Sequence, residues 1–230
     1  MSVTIPRTLF GLLSRNNSIS FVGCFLQLFL FFAVGIMDSF LLAIMSVDRY
    51  VAVCQPLRYL SIMSKKVCIS LVISSWVIAC LHSMLHTIMI SSLVYCTFVV
   101  YHFFCDGPAM VMISCSDTFF IQMTVFVEGS VILISPVLFI LGSYTLIIRA
   151  VLRLSTSNGR KRTFSTCTSH LTMVIIFYSS VIFMYCRPSI LYSPVYDRVV
   201  SVLYTVLTPM LNPFIYSLRN KEVKNAMKRS

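Results

Sequence analysis

The chain has 230 residues, of which 58% are hydrophobic and 11% are charged, and its formal net charge is +11. A soluble protein of this length needs far more polar surface, so the composition excludes that class and indicates an integral membrane protein. The positive charge lies in short stretches between long apolar segments, which does not suit a nucleic-acid partner.

Five apolar segments are long enough to cross a bilayer, and none of them contains Lys or Arg. Continuous apolar runs of this length favour helices, because the strands of a membrane barrel are short and alternate polar with apolar residues. The sequence therefore predicts an all-α membrane protein, a transmembrane helix bundle with spans at about 21–47, 67–90, 119–148, 164–186 and 199–218.

The first predicted span contains one ionisable residue, Asp38, and is followed by Asp48-Arg49-Tyr50. Arginine keeps its charge at physiological pH, so Arg49 can rest against Asp48 in one state and reach a partner in another. The triplet is therefore either a switch of this kind or a charged anchor at the end of a helix, and both interpretations stay open.

Four cysteines fall on the same predicted side of the membrane as the start of the first span: Cys24, Cys96, Cys105 and Cys115. In an oxidising compartment four cysteines indicate two disulfides, and their spacing permits three connectivities. Zinc is the rival explanation, but the cluster has no close pair of cysteines, so we expect no metal site there. On the same side, Asn16 begins a glycosylation sequon.

The ionisable groups most firmly placed within spans are Asp38, Glu128 and His170. An ion in hydrocarbon is costly unless it is paired or faces water. Glu128 lies at a depth that suits a ligand pocket, where it would favour an amine, or it is a protonated and hydrogen-bonded core residue. His170 is open to the same two kinds of interpretation, functional or core.

The fifth predicted span contains Pro213, which donates no backbone hydrogen bond and clashes with the carbonyl of Pro209, so we expect a kink. Asn212 and Tyr216 are four residues apart and share a face of this helix. The polar pair can exchange partners between two packings, or Asn212 can simply satisfy the freed carbonyl.

Basic residues are concentrated on the side of the membrane that carries the C-terminus. That side has 14 of the 18 basic residues and two of the seven acidic ones, a net charge of +12, and the remainder of the chain has −1. The basic side is cytoplasmic, so the N-terminus is expected outside. Residues 219–229 follow the last span and predict a short amphipathic helix on the anionic inner leaflet.

An ordered set of motifs resembles vertebrate olfactory receptors, which are rhodopsin-like G-protein-coupled receptors. Residues 38–50 and 56–59 are similar to the family's third helix, residues 143–144 and 164–171 to its fifth and sixth, and residues 209–223 to its seventh and short eighth. Residues 1–15 resemble the end of the second helix and the loop after it. We therefore expect five of the family's seven helices in this sequence, without the first and nearly all of the second.

The resemblance implies that a small volatile odorant binds in the outer half and that a stimulatory G protein binds at the cytoplasmic face. It assigns activation and coupling to Asp48, Arg49, Tyr50, Tyr144, His170, Asn212, Pro213 and Tyr216. It suggests a pocket lined by Phe32, Gly35, Ile36, Ser39, Glu128, Ile132, Leu133, Tyr178, Val181, Ile182 and Tyr185.

The resemblance further implies a buried polar, cation-binding site and two disulfides: Asp38, Ser39 and Asn212 for the site, and Cys24–Cys105 and Cys96–Cys115 for the disulfides. It places the chain in the plasma membrane, with retention in the endoplasmic reticulum if a truncated chain fails to fold. We expect no enzyme activity, no cofactor and no metal ion, because no phosphate loop, ligand cluster or activated nucleophile stands out.

Two alternatives to a working receptor stay open. One is a truncated, non-signalling, pseudogene-like fragment of the same family. The other is a membrane transporter or channel, for which an internal repeat or a pair of broken helices would be expected, and neither pattern is found.

Overall fold

The structure is a computed structural model that describes residues 13, 18–100, 102, 104–153 and 157–185, with only the backbone at 157–166 and 183–185. This part of the chain has no β-strand, which confirms the predicted all-α class. Its six α-helices are α1 (Phe21–Cys54), α2 (Tyr59–Ile62), α3 (Lys65–Ser91), α4 (Gly107–Met112), α5 (Phe119–Leu152) and α6 (Ser157–Tyr185). Residues up to Ala150 form one compact unit and those from Val151 another.

Helix α1 begins at a polar cap and ends at a proline. The hydroxyl of Ser20 accepts a hydrogen bond from the backbone N–H of Gly23 at 3.1 Å, which satisfies a donor of the first turn. Gln55 leaves the helical conformation because Pro56 follows it and starts a short 3-10 helix, Pro56–Arg58. The 34 residues of α1 are about 51 Å long, more than a hydrocarbon core of roughly 30 Å.

Helices α1 and α3 approach closely along a stripe of small residues. Ser75, Ala79 and Ser83 recur at a spacing of four on α3 and are all buried. The hydroxyl of Ser83 donates to the backbone carbonyl of Phe29 on α1. Small residues that allow close backbone approach, with hydrogen bonds across the contact, are typical of packing between membrane helices.

The other face of α3 presents apolar side chains outward. Trp76 is 44% exposed, and Ile73 and Leu81 are more exposed still. Helices α1, α3 and α5 are each long and apolar enough to cross a membrane, and the apolar part of α6 found among the described side chains is Cys167–Ile182. These helices correspond to the first four predicted spans, and the fifth lies outside the described residues.

The helices extend beyond the predicted spans at several ends. Helix α1 continues to Cys54, so the Asp48-Arg49-Tyr50 triplet, which follows the first predicted span, lies in the last turns of the helix. Helix α6 begins at Ser157, so the basic residues 160–162, which we expected in a loop, lie in its first turns. Both extensions have one cause, since hydropathy marks where a chain enters hydrocarbon while a helix can continue into the aqueous layer.

Candidate functional site

The inner end of α1 carries a hydrogen bond between the charged triplet and the turn that follows it. The phenol of Tyr59 donates to Oδ1 of Asp48 at 2.8 Å. Pro56–Arg58 turns the chain back, with the N–H of Arg58 bonded to the carbonyl of Gln55 at 3.0 Å, and this turn brings Tyr59 beside the helix it has just left. The bond raises the pKa of the Tyr59 phenol, and the negative charge of Asp48 adds to that shift.

Asp48 thus uses a carboxylate oxygen on Tyr59. Within the part of the chain that the structure describes, no ion pair joins Asp48 to Arg49. Arg49 and Tyr50 are both partly exposed. The arrangement is one of the two states that the sequence predicts for the triplet, the one in which the guanidinium is not held by its neighbouring carboxylate.

The other residues that the resemblance assigns to activation fall on two helices or outside the described residues. Tyr144 is buried on α5, and the thiol of Cys54 lies 3.9 Å from the carbonyl of Leu146, which links the inner ends of α1 and α5. His170 on α6 is buried. Outside the described residues are Asn212, Pro213 and Tyr216, together with the sequon at Asn16.

The segment between α3 and α5 is tied down by two disulfides. The structure joins Cys24 to Cys105 with a Cα–Cα distance of 5.4 Å, and Cys96 to Cys115 with 5.6 Å. These are the pairs that the resemblance implied. The first disulfide attaches the segment to the start of α1. The second closes a loop within the segment, beside the antiparallel backbone pairing (an isolated β-bridge) of Tyr95 with Ser114.

Polar contacts hold the same segment against the helices. The backbone N–H of Cys105 donates to Oε1 of the buried Gln27 at 3.1 Å. The phenol of Tyr95 donates to the carbonyl of Ile90 at 2.6 Å, where α3 ends, and burial raises the pKa of Tyr95 to about 12. A buried apolar cluster surrounds them, made of Cys24, Phe25, Leu28, Ile90, Leu93, Cys105, Met110 and Ile121.

Helix α4 presses onto a predicted pocket residue. Asp106 caps this helix by accepting a hydrogen bond from the N–H of Gly107 at 2.8 Å. A Cβ atom on Gly107 would lie 2.9 Å from Cζ of Phe32, so only glycine permits this approach without a shift of the ring. Phe32 is therefore the side chain of α1 against which the start of α4 packs.

A cluster of two histidines and one carboxylate lies next to Phe32. The rings of Phe32 and His86 are 6.2 Å apart, edge to face. Nε2 of His86 is 3.2 Å from Nε2 of His82, one turn back on α3, and 3.6 Å from Oε2 of Glu128 on α5. Nε2 of His82 is 4.0 Å from the same oxygen. Glu128 thus faces imidazoles, which neither interpretation of it anticipated.

The remaining predicted pocket residues differ in burial. Gly35, Ile36, Ile132 and Leu133 are partly exposed, and Ser39 is buried next to the partly buried Asp38. On α6, Tyr178 and Val181 are buried and Ile182 is 55% exposed. The side chain of Tyr185 lies outside the described residues.

Two features of the site were not predicted from the sequence, the histidine pair on α3 and the contact of Tyr59. His82 and His86 lie inside a span, so Asp38, Glu128 and His170 are not the full set of ionisable residues there; a pair four apart in an apolar run was the signal. Tyr59 was quoted only as part of a motif, and no local pattern pairs it with Asp48. That contact depends on the turn between the two residues.

Comparison with known proteins gives the family that the motifs indicated. The family model described as olfactory receptor matches residues 1–230. The chain is 46% identical over 229 residues to Olfactory receptor 1 of Rattus norvegicus, covering 99% of this chain and 73% of that relative. It is 45% identical to Olfactory receptor 1E16 of Mus musculus, with coverage of 99% and 73%, and 44% identical to Olfactory receptor 2L8 of Homo sapiens, with 100% and 74%.

Proposed function

Because the chain belongs to the olfactory receptor family, we propose that it binds a small volatile odorant in the outer half of its helix bundle and activates a stimulatory G protein at its cytoplasmic face. It is a multi-pass membrane protein of a family of receptors, and the family match favours neither a transporter nor a channel. The nucleotide chemistry of signalling then belongs to the G protein.

The odorant site is supported by the packing of the outer segment against Phe32. The disulfide between Cys24 and Cys105 and the hydrogen bond to Gln27 fix the outer segment to the start of α1. Phe32 and Ile36 on α1 and Ile132 on α5 are apolar and only partly buried, and Phe32 lies against the polar His86. Apolar side chains with a few polar groups nearby suit a small volatile molecule.

The coupling site rests on one observation above the others, the hydrogen bond from Tyr59 to Asp48. While Asp48 accepts this bond, Arg49 is not in an ion pair with it. A guanidinium on a partly exposed helix face offers five donors in a fixed fork, which suits carbonyl and carboxylate groups of an incoming helix. We infer that Tyr59 keeps Arg49 ready for the G protein.

The test is cyclic AMP in cells that supply a stimulatory G protein. Expression covers the 230-residue chain and the same chain preceded by the N-terminal segment of the rat relative, since residues 1–15 resemble the end of the family's second helix. Arg49→Ala is expected to abolish an odorant-evoked rise, because a methyl group replaces the cationic fork. Arg58→Ala is the matched control, an exposed arginine a few residues along, and should signal normally.

Surface staining must show equal amounts of each variant. A response that survives Arg49→Ala would overturn the role of Arg49. Equal losses in Arg49→Ala and Arg58→Ala would show that only the positive charge of this region matters, and not the position of Arg49.

We also propose a plasma-membrane location with Asn16 outside and Ser230 in the cytoplasm, from the +12 and −1 charge partition. Tags at both ends, stained with and without permeabilisation, test this orientation. A C-terminal tag visible on intact cells would contradict it.

A further inference from the structure

We propose that His82, His86 and Glu128 form a binding site for a transition-metal ion, with Zn²⁺ as the best-fitting ion, between α3 and α5. This proposal goes beyond odorant reception and G-protein coupling, and it revises our expectation from the sequence that the chain has no metal site. Three observations support it, which are the convergence of the ligand atoms, the chemistry of the set and the position of the cluster.

The distances between the three ligand atoms are already close to those between the corners of a zinc coordination tetrahedron. Zinc holds nitrogen and oxygen ligands at about 2.0–2.2 Å, so two ligands at the tetrahedral angle are about 3.3–3.5 Å apart. The two Nε2 atoms of His82 and His86 are 3.2 Å apart, and Oε2 of Glu128 is 3.6 Å from His86 and 4.0 Å from His82. Shifts of a few tenths of an ångström bring all three to the required spacing.

The donor set selects the kind of ion. Two imidazoles and one carboxylate suit zinc and other first-row transition metals, whereas Mg²⁺ and Ca²⁺ prefer oxygen ligands alone. Ligation through Nε2 uses the atoms that already face each other, while Nδ1 of His82 is buried without a hydrogen-bond partner among the described residues. With neutral imidazoles and an ionised Glu128 the bound ion retains one positive charge, which leaves the fourth position for water or an anion.

The cluster lies near the outer end of α3. His86 lies five residues before Ser91, the end of α3, which is about 7.5 Å along the helix axis. That end adjoins the disulfide-bonded outer segment. The Glu128 side chain is 41% exposed, while those of His82 and His86 are 15% and 5% exposed, so Glu128 is the open side of the cluster. Once bound, it bridges two helices whose other contacts are few.

The direct test measures Zn²⁺ binding by calorimetry and Co²⁺ binding by visible absorption, on the full chain in nanodiscs. The protein carries a tag without histidines, and its thiols outside the two disulfides are blocked so that thiolates do not compete for the ion. We expect one ion per chain, a tetrahedral Co²⁺ spectrum without thiolate bands, and no competition from Mg²⁺. At 100 times its Kd, Zn²⁺ should raise the unfolding temperature by roughly 5–10 °C.

The variants separate a metal site from a hydrogen-bonded cluster. Glu128→Gln keeps the size of the half-exposed side chain and should weaken Zn²⁺ binding by more than about tenfold, as should His86→Ala, because changes that merely surround a metal site cost roughly 10- to 100-fold. Glu128→His supplies three imidazoles and should retain binding. His102→Ala and Asp117→Asn, which alter a histidine and a carboxylate outside the cluster, should bind as the unaltered chain does.

Binding that is absent in the unaltered chain, or that is equally strong in Glu128→Gln, would overturn the site and leave a cluster held by hydrogen bonds alone. A loss in Glu128→His equal to that in Glu128→Gln would do so as well. None of these outcomes depends on an odorant response, so a failure here is distinguishable from a failure of receptor function.

Discussion

Tyr59→Phe is the sharpest perturbation of the proposed switch. The substitution keeps the ring and removes only the hydroxyl that donates to Oδ1 of Asp48 at 2.8 Å. The carboxylate then lacks its donor, and the cationic Arg49 is its neighbour in the sequence. We expect Asp48 to hold Arg49, which reduces the fraction of receptor that is ready for the G protein.

The size of the effect follows from the hydrogen bond. A bond to a charged acceptor is worth about 1.5–3 kcal/mol, but Tyr59 is only partly buried, so about 1 kcal/mol is the appropriate figure. Since 1.4 kcal/mol is a factor of ten, the ratio of ready to held receptor should fall about fivefold. The odorant concentration for half-maximal cyclic AMP should rise by a similar factor, with equal surface expression.

A double-mutant cycle isolates this contact. Asp48→Asn removes the charge that would capture Arg49, so adding Tyr59→Phe to Asp48→Asn should change the response little. Two results would refute the reasoning. One is an unchanged response of Tyr59→Phe, and the other is the same fivefold loss with and without Asp48→Asn.

The contact should not depend on pH in the physiological range. The hydrogen bond to Asp48 raises the pKa of Tyr59 above its ordinary value of 10.0. For a group whose folded pKa is raised, the stabilisation is fully present below the unfolded pKa and is lost as pH rises through the folded pKa. Tyr59 therefore keeps its proton in assays between pH 6 and pH 8. An effect of Tyr59→Phe that varied across that range would contradict a role of this hydrogen bond.

Three further predictions concern the outer segment. Opening the Cys24–Cys105 disulfide, which spans 81 residues, should lower the free energy of unfolding by about 4.5 kcal/mol, because the unfolded chain gains entropy. The Cys96–Cys115 disulfide spans 19 residues, so opening it should cost about 3.2 kcal/mol. Thermal unfolding of the two Cys→Ser double variants shows which disulfide contributes more. Gly107→Ala should displace the ring of Phe32 and so change the ranking of odorants in the cyclic AMP assay. Gly129→Ala is the control and should leave the ranking unchanged, because a Cβ there meets nothing within 4 Å. Burial raises the pKa of Tyr95 to about 12, so Tyr95→Phe should remove a phenol of this pKa from an absorbance titration. Because this pKa is raised, its stabilisation is present below about pH 10 and is lost near pH 12.

The helices and the membrane class could be predicted because long apolar runs carry that information locally. Composition excluded a soluble protein, and the first four predicted spans each overlap a long helix, of which three are long and apolar enough to cross a membrane. The disulfide pairs came from the resemblance, since spacing alone left three possibilities. Cys24 lies far in sequence from Cys105, and only the fold makes the two neighbours.

Contacts between segments could not be predicted in the same way. The pairing of Tyr59 with Asp48 depends on a turn whose direction is set by Gln55 and Pro56. Glu128 was identified as an ionisable residue in a span, but the side chains opposite it belong to α3, and the register of two helices cannot be read from either one. The depth of Glu128 and the spacing of the two histidines were both in the sequence, and only the structure combined them.

The two ends of α1 are held with very different strength, and this difference bears on how a signal crosses the membrane. At the outer end a disulfide, the hydrogen bond to Gln27 and a buried apolar cluster fix the helix to the outer segment. At the inner end the described contacts are not covalent: the hydrogen bond from Tyr59 to Asp48 and the contact of the Cys54 thiol with the carbonyl of Leu146. A long helix that is packed along α3 transmits displacement with little bending, so a shift imposed near Phe32 is most easily accommodated at the end whose restraints are weaker. The inner end carries the contact that we propose to control Arg49, so a shift at the outer end is expected to reach the coupling site there.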